Sequence, residues 1–465
     1  MLYAADIFLP PVPVDPNRME ARRRRGGQAI LSKMASIQRK AAISITGAMN
    51  TTAGDVAEAH AGLIPISLYV SMAQHRAALR LATLPPTHPL SKVVKNARAR
   101  RIKKHPTRIH DLIWTFDLDP SRIEKIEATR YDIGSKAAME MGICNTGEEA
   151  IRRARMDRAE IKVYTDGSGI GGAVGAAAVL ERRGRGEIKV RRFKVGAASQ
   201  NEVYEGELTG LVLGMEMVRA ERRVTEVSIY TDNQAAITAL TTDSPGPARH
   251  IVDMVHERHR MLMTRHGAAR VTVHWIPGHS GVRGNERADI NAKRAARGDS
   301  SPTKTLPACL RKALPVSKTA IRRQYNKRSM EEATRQWRAS PRSTRVSRID
   351  AAFSLSRFRK LVSDLPKSQI STLVRLRTGH IALNQHLHRI GKADTPVCPC
   401  CQRADETVHH FLLHCPAHAA ARRALNDAMG RDSANLRKLL STPDALTHLF
   451  TFIGATGRFA KAGIG

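Results

Sequence analysis

Two aspartates each stand where a run of β-branched and aromatic residues ends. Asp166 closes the run "IKVYTD", and Asp232 closes "EVSIYTD". Such runs predict strands, and the glycines that follow Asp166 predict a turn, so both carboxylates are expected at strand ends. An aspartate also initiates ordinary turns, so neither position identifies a site when taken alone.

Two further acids are expected on helices. Glu207 in "YEGELTGL" lies near the start of one, and Asp289 in "NERADINAK" lies one turn into another. Singly, each would be an exposed helix acid, but two strand ends and two helix starts can meet at one edge of a sheet. Four carboxylates gathered there repel one another and lose solvation, so divalent cations usually accompany such a cluster.

Oxygen ligands alone favour Mg²⁺ or Mn²⁺ over softer metals. Two such ions about 4 Å apart can activate a water and stabilise the leaving oxygen of a phosphodiester. That chemistry requires no nucleophilic side chain. The four carboxylates therefore predict a two-metal site for phosphodiester hydrolysis.

A second group of residues has the spacing of a zinc site. The pattern C-x2-C-x8-H-x4-C is formed by Cys398, Cys401, His410 and Cys415. Four soft ligands at these spacings can close a tetrahedral Zn²⁺ site, and clustered cysteines without a signal peptide favour metal binding over disulfides. Cys400 adjoins the pattern, His409 and His414 flank His410, and a helix with incidental Cys and His residues is the alternative. We expect metal chelation to unfold only this module.

The elements around the carboxylates predict an α/β fold. Three β runs with short turns, "IKVYTD", "AVGAAAVLE" and "IKVRRFKVG", predict an antiparallel meander. The helix "EVYEGELTGLVLGMEMVRAE" follows, and then the strands "EVSIYTD" and "RVTVHWIP" alternate with further helices up to "NERADINAKRAARG". This order predicts a mixed five-stranded sheet with helices packed on it.

In these motifs, residues 158–297 resemble a type 1 ribonuclease H domain of the kind found in non-LTR retrotransposons. The family's D-E-D-D metal set matches Asp166 in "TDGS", Glu207 in "GEL", Asp232 in "TDNQ" and Asp289 in "NERAD". The stretch "HWIPGHSGVRGNERAD" resembles the family's final strand, mobile loop and last helix. The resemblance makes His279 the loop histidine, which is implied to assist proton transfer or product release.

The resemblance implies metal-dependent endonucleolytic hydrolysis of the RNA strand of RNA–DNA hybrids, which are told from DNA by their 2′-hydroxyls. One departure concerns the substrate contacts. The family often carries Asn residues just before its Glu, whereas Val203 and Tyr204 stand here, and it stays open whether Ser199, Gln200 and Asn201 further upstream substitute for them. Hybrid binding is therefore expected to use backbone amides, Asn233, Gln234 and the basic flanks.

The charge of the chain predicts a polyanionic partner. Its 465 residues suggest roughly three domains and carry 76 Lys and Arg against 42 acids, for a net charge of +34. Residues 161–297 hold 21 basic and 15 acidic side chains, so most of the excess lies in the flanks. We therefore expect other nucleic acid to bind there. No oligomeric state is predicted.

The flanks suggest a mobile-element origin. The stretch "ASIQRKAAISITGAMNTTAGDVAEAHAGLIPI" resembles the region after the polymerase core of fungal non-LTR retrotransposon proteins, and the cysteine pattern resembles their terminal zinc knuckle. The chain has no Asp-Asp pair for a polymerase site. It thus resembles the C-terminal piece of such a polyprotein, and a non-catalytic nucleic-acid-binding remnant is the alternative function.

The predicted organisation has five segments. They are a basic helical region (1–157), the ribonuclease H domain (158–297), a linker with basic helices (298–395), the CCHC knuckle (396–430) and a tail (431–465). No run approaches the roughly 18 apolar residues of a membrane span, and there is no signal peptide. We therefore expect no membrane partner and an intracellular protein, either nuclear or cytoplasmic.

Overall fold

The computed structural model describes residues 4–14, 25–99, 107–128, 130–131 and 139–459. They divide into two units. The sheet unit is Gln74–Asn326, and the helical unit joins Met1–Ala73 to Lys327–Gly465.

The sheet unit is built on one mixed sheet. Its strands are β1 (Glu140–Gly142), β2 (Ile161–Ile170), β3 (Ala173–Arg182), β4 (Ile188–Ala197), β5 (Glu226–Thr231) and β6 (Arg270–Trp275). Their order is β1-β6-β5-β2-β3-β4. The β2–β3 and β3–β4 pairs are antiparallel, whereas β2–β5, β5–β6 and β1–β6 are parallel. The predicted α/β fold with a mixed sheet is confirmed.

The expected strand number was wrong. The sheet has six strands among the described residues, because β1 adds a parallel edge beside β6. This strand is only three residues long, "EMG", which is too short to show the alternation that predicts a strand. It lies in the segment for which the sequence predicted helices only.

Helices surround the sheet and build the helical unit. In chain order they are α1 (Ala5–Phe8), α2 (Arg25–Thr46), α3 (Gly54–Ala61), α4 (Ile66–Ala82), α5 (Ser91–Ala99), α6 (Arg108–Thr115), α7 (Gly147–Met156), α8 (Val203–Ala220), α9 (Gln234–Leu240), α10 (Arg249–Arg265), α11 (Arg283–Ala296), α12 (Lys318–Ala339), α13 (Ser343–Ile349), α14 (Leu355–Leu361), α15 (Lys367–Thr378), α16 (Asn384–Arg389), α17 (Ala419–Met429), α18 (Leu436–Ser441) and α19 (Pro443–Thr456). A π-helical turn covers His410–His414. Among the described residues, no single helix is long and apolar enough to cross a membrane; α3 and α4, which meet at a 56° bend, reach that length and apolarity only together.

The sheet carries helices on both faces. Val163 and Thr165 of β2 face α8 at Gly214, whereas Tyr164 packs against α11 at Gly284. This alternation follows from the two-residue repeat of a strand. The main core contains Val163 and the apolar face of α8 and α10, and a smaller cluster around Tyr164 and Ala288 lies on the other face.

Strand β2 does not end at Asp166, contrary to the prediction. It continues to Ile170, and Asp166 pairs with Ala177 of β3. The turn lies later, at Gly171 and Gly172, whose φ angles are +60° and +76°. The sequence predicts a turn at the first glycines after Asp166, but they remain extended because helix α8 packs closely against them.

Residues on both sides of 158–297 pack onto the sheet unit. The buried carboxylate of Glu124 accepts hydrogen bonds from the backbone N–H of Ala248 at 2.6 Å and of Lys318 at 2.7 Å. The side chains of Ser300 and Ser301 accept from the backbone of β4 at 2.8 and 2.9 Å. These contacts satisfy donors at the edge of β4, which would otherwise be open to pairing.

The helical unit has its own core, built mainly from Phe358, Leu373, Phe411, Leu449 and Phe452. Arg377 of α15 is fully buried within this unit. Its guanidinium pairs with Asp350 at 3.1 Å and donates to the carbonyl of Leu440 at 2.5 Å. Phe411 belongs to the π-helical turn, so the cysteine-rich segment contributes directly to this core.

Candidate active site and metal-binding cluster

The parallel pairing of β2 and β5 brings Asp166 and Asp232 to one place. The last paired rung is Tyr164 with Tyr230, so each aspartate lies two residues beyond it. Oxygens of Asp166, Glu207 and Asp232 lie within 4.8 Å of one another. The predicted meeting of these three carboxylates is therefore present in the structure.

Gly167 lets Glu207 reach this cluster. A Cβ at position 167 would lie well under 3.0 Å from the backbone nitrogen of Glu207, closer than real Cβ contacts. Helix α8 can cross β2 at this distance only because residue 167 has no side chain. The glycine after Asp166 thus serves close packing.

Asp289 lies on the wall of the same pocket, slightly apart from the other three carboxylates. One carboxylate oxygen of Asp289, one of Glu286 and one ring nitrogen of His279 lie within 4.8 Å of one another. Its Oδ2 accepts a hydrogen bond from Nζ of Lys293 at 2.7 Å. Asp289 was expected one turn into its helix, but α11 begins at Arg283, so the residue lies nearly two turns in. The predicted helix begins at Asn285, whereas α11 also includes Arg283 and Gly284.

The pocket is open, with a volume of about 270 Å³. Its lining residues are Asp166, Gly167, Ser168, Gly169, Val203, Glu207, Asp232, His279, Asn285, Asp289 and Lys293. Six of these have ionisable side chains, namely four carboxylates, the imidazole of His279 and the ammonium of Lys293. All five residues that the sequence proposed as catalytic line this pocket.

Burial and mutual repulsion raise the proton affinity of the cluster. Burial first, and then the charges of Asp232 and Asp289, raise the pKa of Asp166 to about 7, while Lys293 opposes the shift. Burial, followed by Asp166 and Asp232, raises the pKa of Glu207 well above its usual range. Burial also raises the pKa of Asp232, against the opposing charge of His279. The site therefore needs protons or cations to offset its charge.

The unpaired oxygens of the cluster fit a metal ion. Asp166 and Glu207 are each 5% exposed, and Oδ2 of the first and Oε2 of the second have no hydrogen-bond partner among the described residues. A buried carboxylate oxygen without a donor is costly unless a cation contacts it. The donors are all oxygens, which suits Mg²⁺ or Mn²⁺.

His279 and the two expected hybrid contacts lie near the pocket rim. His279 is exposed, with φ of +52°, on the loop between β6 and α11. The Oδ1 atom of Asn233 accepts from the backbone N–H of Ala236 at 3.0 Å and so caps α9. Gln234 is exposed at the first position of that helix. Asn233 is thus already used in capping, and Gln234 is open to solvent.

Of the three upstream residues, Ser199 and Gln200 are exposed, whereas Asn201 does not replace the family's missing asparagines at the surface. It is buried, and its Nδ2 donates to Oε2 of Glu205 at 2.9 Å. Val203 occupies the pocket rim instead and is 42% exposed. The apolar side chain of Val203 thus lies at the rim, at a position where a side chain that forms hydrogen bonds would contact a substrate.

Asn285 and Lys293 were missed by the sequence reasoning. Both line the pocket, and Oδ1 of Asn285 is buried without a hydrogen-bond partner among the described residues. The missed signal was helical spacing, because residues 285, 289 and 293 recur every four positions and so share one face of α11.

The predicted zinc ligands converge in the helical unit. Ligand atoms of Cys398, Cys401, His410 and Cys415 all lie within 4.8 Å of one another. Sγ of Cys398 is 3.8 Å from Sγ of Cys415, and Sγ of Cys401 is 3.3 Å from Nε2 of His410. Three sulfurs and one imidazole nitrogen are the donor set of a tetrahedral zinc site.

The alternative ligands are arranged differently. His409 and His414 lie outside the four-residue group, with their rings 4.6 Å apart. Cys400 approaches Cys398 and Glu406, but both carboxylate oxygens of Glu406 accept from Arg458 at 2.7 Å. The choice of His410 is consistent with this geometry, and Glu406 is committed to an ion pair.

Known proteins are similar to residues 158–297, a part of the sheet unit. The pattern of the family described as RNase H matches residues 158–297. Ribonuclease H of Cupriavidus necator is 30% identical over 155 residues, which cover 29% of this chain and 94% of that protein. The chain belongs to the ribonuclease H family. Ribonuclease H of Cupriavidus pinatubonensis is 28% identical over 155 residues, with the same coverage.

A solved ribonuclease H structure is similar over the same share of the chain. RNase H1 from the archaeon Halobacterium salinarum NRC-1 is 22% identical and covers 29% of this chain and 96% of its own, with a TM-score of 0.23. The ribonuclease H match runs from just before β2 to the end of α11 and includes all four carboxylates. It does not extend to the cysteine cluster.

Proposed function

We propose that this ribonuclease H chain cleaves the RNA strand of RNA–DNA hybrids endonucleolytically, with two divalent metal ions. Asp166, Glu207, Asp232 and Asp289 would hold the ions. The observation that carries the proposal is the pair of buried, unpartnered oxygens on Asp166 and Glu207 inside an open pocket. Family membership supports the reaction class.

Each protein group has a role in this reaction. Bound Mg²⁺ ions would supply water activation and charge stabilisation at the leaving oxygen. Asp166 and Glu207 hold their oxygens in a desolvated wall, so the ligands are preorganised. Lys293 neutralises Asp289 until cations arrive. His279, exposed at the rim, exchanges a proton with the departing strand or assists its release.

Substrate contacts are proposed at the rim and on the flanks. Gln234 is exposed at the first position of α9 and would contact a base or sugar. Asn233 uses its Oδ1 to cap α9, so its amide nitrogen would be the group that donates to the hybrid. The RNA strand is distinguished by its 2′-hydroxyls. Exposed Lys and Arg residues outside the domain add salt-dependent attraction to phosphates.

The activity can be tested with purified full-length chain and a hybrid labelled on the RNA strand. With Mg²⁺, internal cleavage of the RNA is expected, whereas the same RNA alone and the DNA strand should remain intact. Cleavage in excess chelator, or equal cleavage of single-stranded RNA, would contradict the proposed reaction.

We further propose that Cys398, Cys401, His410 and Cys415 bind one structural Zn²⁺. Their convergence within 4.8 Å supports this. Metal analysis of the purified chain should give one zinc per molecule, and Cys415→Ser should lose it. Cys400→Ser is the matched control and should retain it. Zinc retained by the Cys415 variant would exclude this ligand set.

We also infer a retrotransposon origin from the resemblance of the flanking segments and from the order of the ribonuclease H segment and the cysteine module. Two features favour the alternative of a binding protein that does not cleave: Val203 at the rim and the Lys293 ammonium on Asp289. The hybrid assay separates the two functions. Binding without cleavage at saturating Mg²⁺ would select the alternative.

A further inference from the structure

A group of basic and imidazole side chains converges in the helical unit, separate from both metal sites. It comprises Thr51, Arg345, His380, His386 and Arg389, and is called the His–Arg cluster below. Nδ1 of His380 lies 2.9 Å from the hydroxyl of Thr51, and Nε2 of His386 lies 3.4 Å from the same oxygen. The two rings are 4.8 Å apart.

The fold brings these residues together from separate segments. Helix α15 ends at Gly379, which has φ of +70°, and His380 follows directly. His386 and Arg389 lie one turn apart on α16, and Nδ1 of His386 is 2.8 Å from a guanidinium nitrogen of Arg389. Arg345 approaches from α13, close enough for its charge to act on His380.

The start of α16 is anchored to the cysteine module. The backbone N–H of Asn384 donates to Oε2 of Glu406 at 2.6 Å, and its side-chain amide donates to the carbonyl of Val397 at 2.8 Å. Val397 directly precedes Cys398. A folded cysteine module therefore fixes the helix that carries His386 and Arg389, two of the five residues of the His–Arg cluster.

The charge of this cluster is entirely positive. Burial first, and then the charges of His386, Arg389 and Arg345, lower the pKa of His380 to about 4. Among the described residues, no carboxylate pairs with Arg345 or Arg389. Both arginines are exposed. Cations held together without a counter-charge are suited to an external anion.

The positive surface extends beyond the space of one small anion. Arg348 lies one turn from Arg345 on α13 and is exposed. Arg437 of α18 is also exposed, and its Nε donates to the backbone carbonyl of Arg348 at 2.6 Å, which places its guanidinium against α13, the helix that carries Arg345. A row of arginines suits successive phosphates of a strand, since guanidinium matches phosphate geometry.

We propose that the His–Arg cluster is a docking site for the phosphate backbone of a nucleic acid strand, distinct from the carboxylate site. Arg345 and Arg389 contact phosphate oxygens, His386 holds Arg389 in place, and Thr51 with the two imidazoles offers further hydrogen-bonding groups. Arg348 and Arg437 continue the contact along the strand.

The test measures binding of a short labelled single-stranded DNA to the full-length chain over a series of salt concentrations. This DNA is not a substrate of the proposed hydrolysis, so the outcome does not depend on it. Replacement of both Arg345 and Arg389 by Gln should weaken binding at least ~10-fold at physiological salt and lower the salt slope by about two, because each arginine neutralises one phosphate. Replacement of Arg357 and Arg359 by Gln is the matched control, because these α14 residues are exposed and lie outside the cluster.

Three outcomes decide the proposal. A loss of affinity at least several-fold larger in the cluster variant than in the control variant, with unchanged zinc content and circular dichroism, supports it. Equal losses of DNA affinity in the two variants would show that only the total positive charge matters, and would overturn the proposal. Binding of inorganic phosphate that depends on Arg345 and Arg389, without any change in DNA affinity, would assign the cluster to a free anion and overturn it as well.

Discussion

Nζ of Lys293 donates a hydrogen bond to Oδ2 of Asp289 at 2.7 Å, and Lys293 lies one turn after Asp289 on α11. This ion pair places an ammonium inside a pocket that otherwise gathers carboxylates. The same ammonium lowers the proton affinity of Asp166. Lys293 therefore serves as the internal counter-charge of the cluster before any metal binds.

Removal of this counter-charge should change the metal requirement. In Lys293→Met, Asp289 is free to bind a cation, so the Mg²⁺ concentration for half-maximal cleavage at about pH 8 should fall several-fold, on the order of 1 kcal/mol of binding free energy. The control is Lys189→Met in β4, which removes an ammonium that pairs with Glu221 at the end of α8 and does not line the pocket. An unchanged or higher Mg²⁺ requirement in Lys293→Met would show that the lysine does not compete for Asp289.

The acid cluster should lower the stability of the metal-free protein at high pH. Because burial raises the pKa of Asp166 to about 7, the fold is stabilised where this carboxyl is protonated, and that contribution is lost as pH rises through about 7. Asp166→Asn mimics the protonated form, so it should raise the melting temperature at about pH 8 without metal by roughly 2–6 °C. The gain should vanish near pH 4, where wild type is protonated as well. A lower melting temperature of the variant at high pH would contradict this electrostatic account.

Close packing at Gly167 should be essential to the geometry of Glu207. In Gly167→Ala, the added Cβ would overlap the backbone of α8, so the helix must shift. We expect a loss of about 1–3 kcal/mol in unfolding free energy and a large fall in hybrid cleavage. Gly267→Ala is the control, because its Cβ would meet no atom closer than 3.8 Å. Denaturant unfolding and initial rates give both values, and wild-type behaviour of Gly167→Ala would show that α8 does not position Glu207.

The integration of the cysteine module changes the effect expected of chelation. Phe411 is 1% exposed in the core of the helical unit, and Arg422 donates to the carbonyls of Leu412 and Cys415 at 2.9 and 3.0 Å. Loss of zinc should therefore destabilise the whole helical unit and not the module alone. Limited proteolysis of the Cys415→Ser chain should cut within α13–α16 as well as after residue 396, whereas Cys400→Ser should resemble wild type. Cleavage confined to 396–430 would restore the view of an independent knuckle.

The sequence predicted the site better than the elements that hold it. The order of four acids, each beside a β run or a helix, was sufficient to predict that Asp166, Glu207 and Asp232 meet. The continuation of β2 past Asp166 was missed, because glycine in a sequence signals a turn unless the neighbour that requires its missing Cβ is known. Helix α8 is that neighbour, and it approaches only in the folded chain.

Other features depended on long-range contacts in the same way. Strand β1 exists because β6 offers an edge, and its three residues carry no pattern of their own. Glu124 carries no signal in the sequence that separates it from a surface acid, yet it is 1% exposed and caps two segments that lie far away along the chain. The convergence of Cys398, Cys401, His410 and Cys415, in contrast, was predicted by their number and spacing, since the geometry of such a cluster is mostly local.

Replacement of Asp232 tests the central claim most directly. Asp232→Asn keeps the size of the side chain and removes one charge from the three-carboxylate cluster, while Asp243→Asn makes the same change at an exposed residue outside the pocket. Single-turnover cleavage of an RNA–DNA hybrid in Mg²⁺ should be at least ~10²-fold slower in Asp232→Asn, with hybrid affinity retained, and unchanged in Asp243→Asn. Cleavage by Asp232→Asn at the wild-type rate would contradict the assignment of the carboxylate cluster as the catalytic metal site.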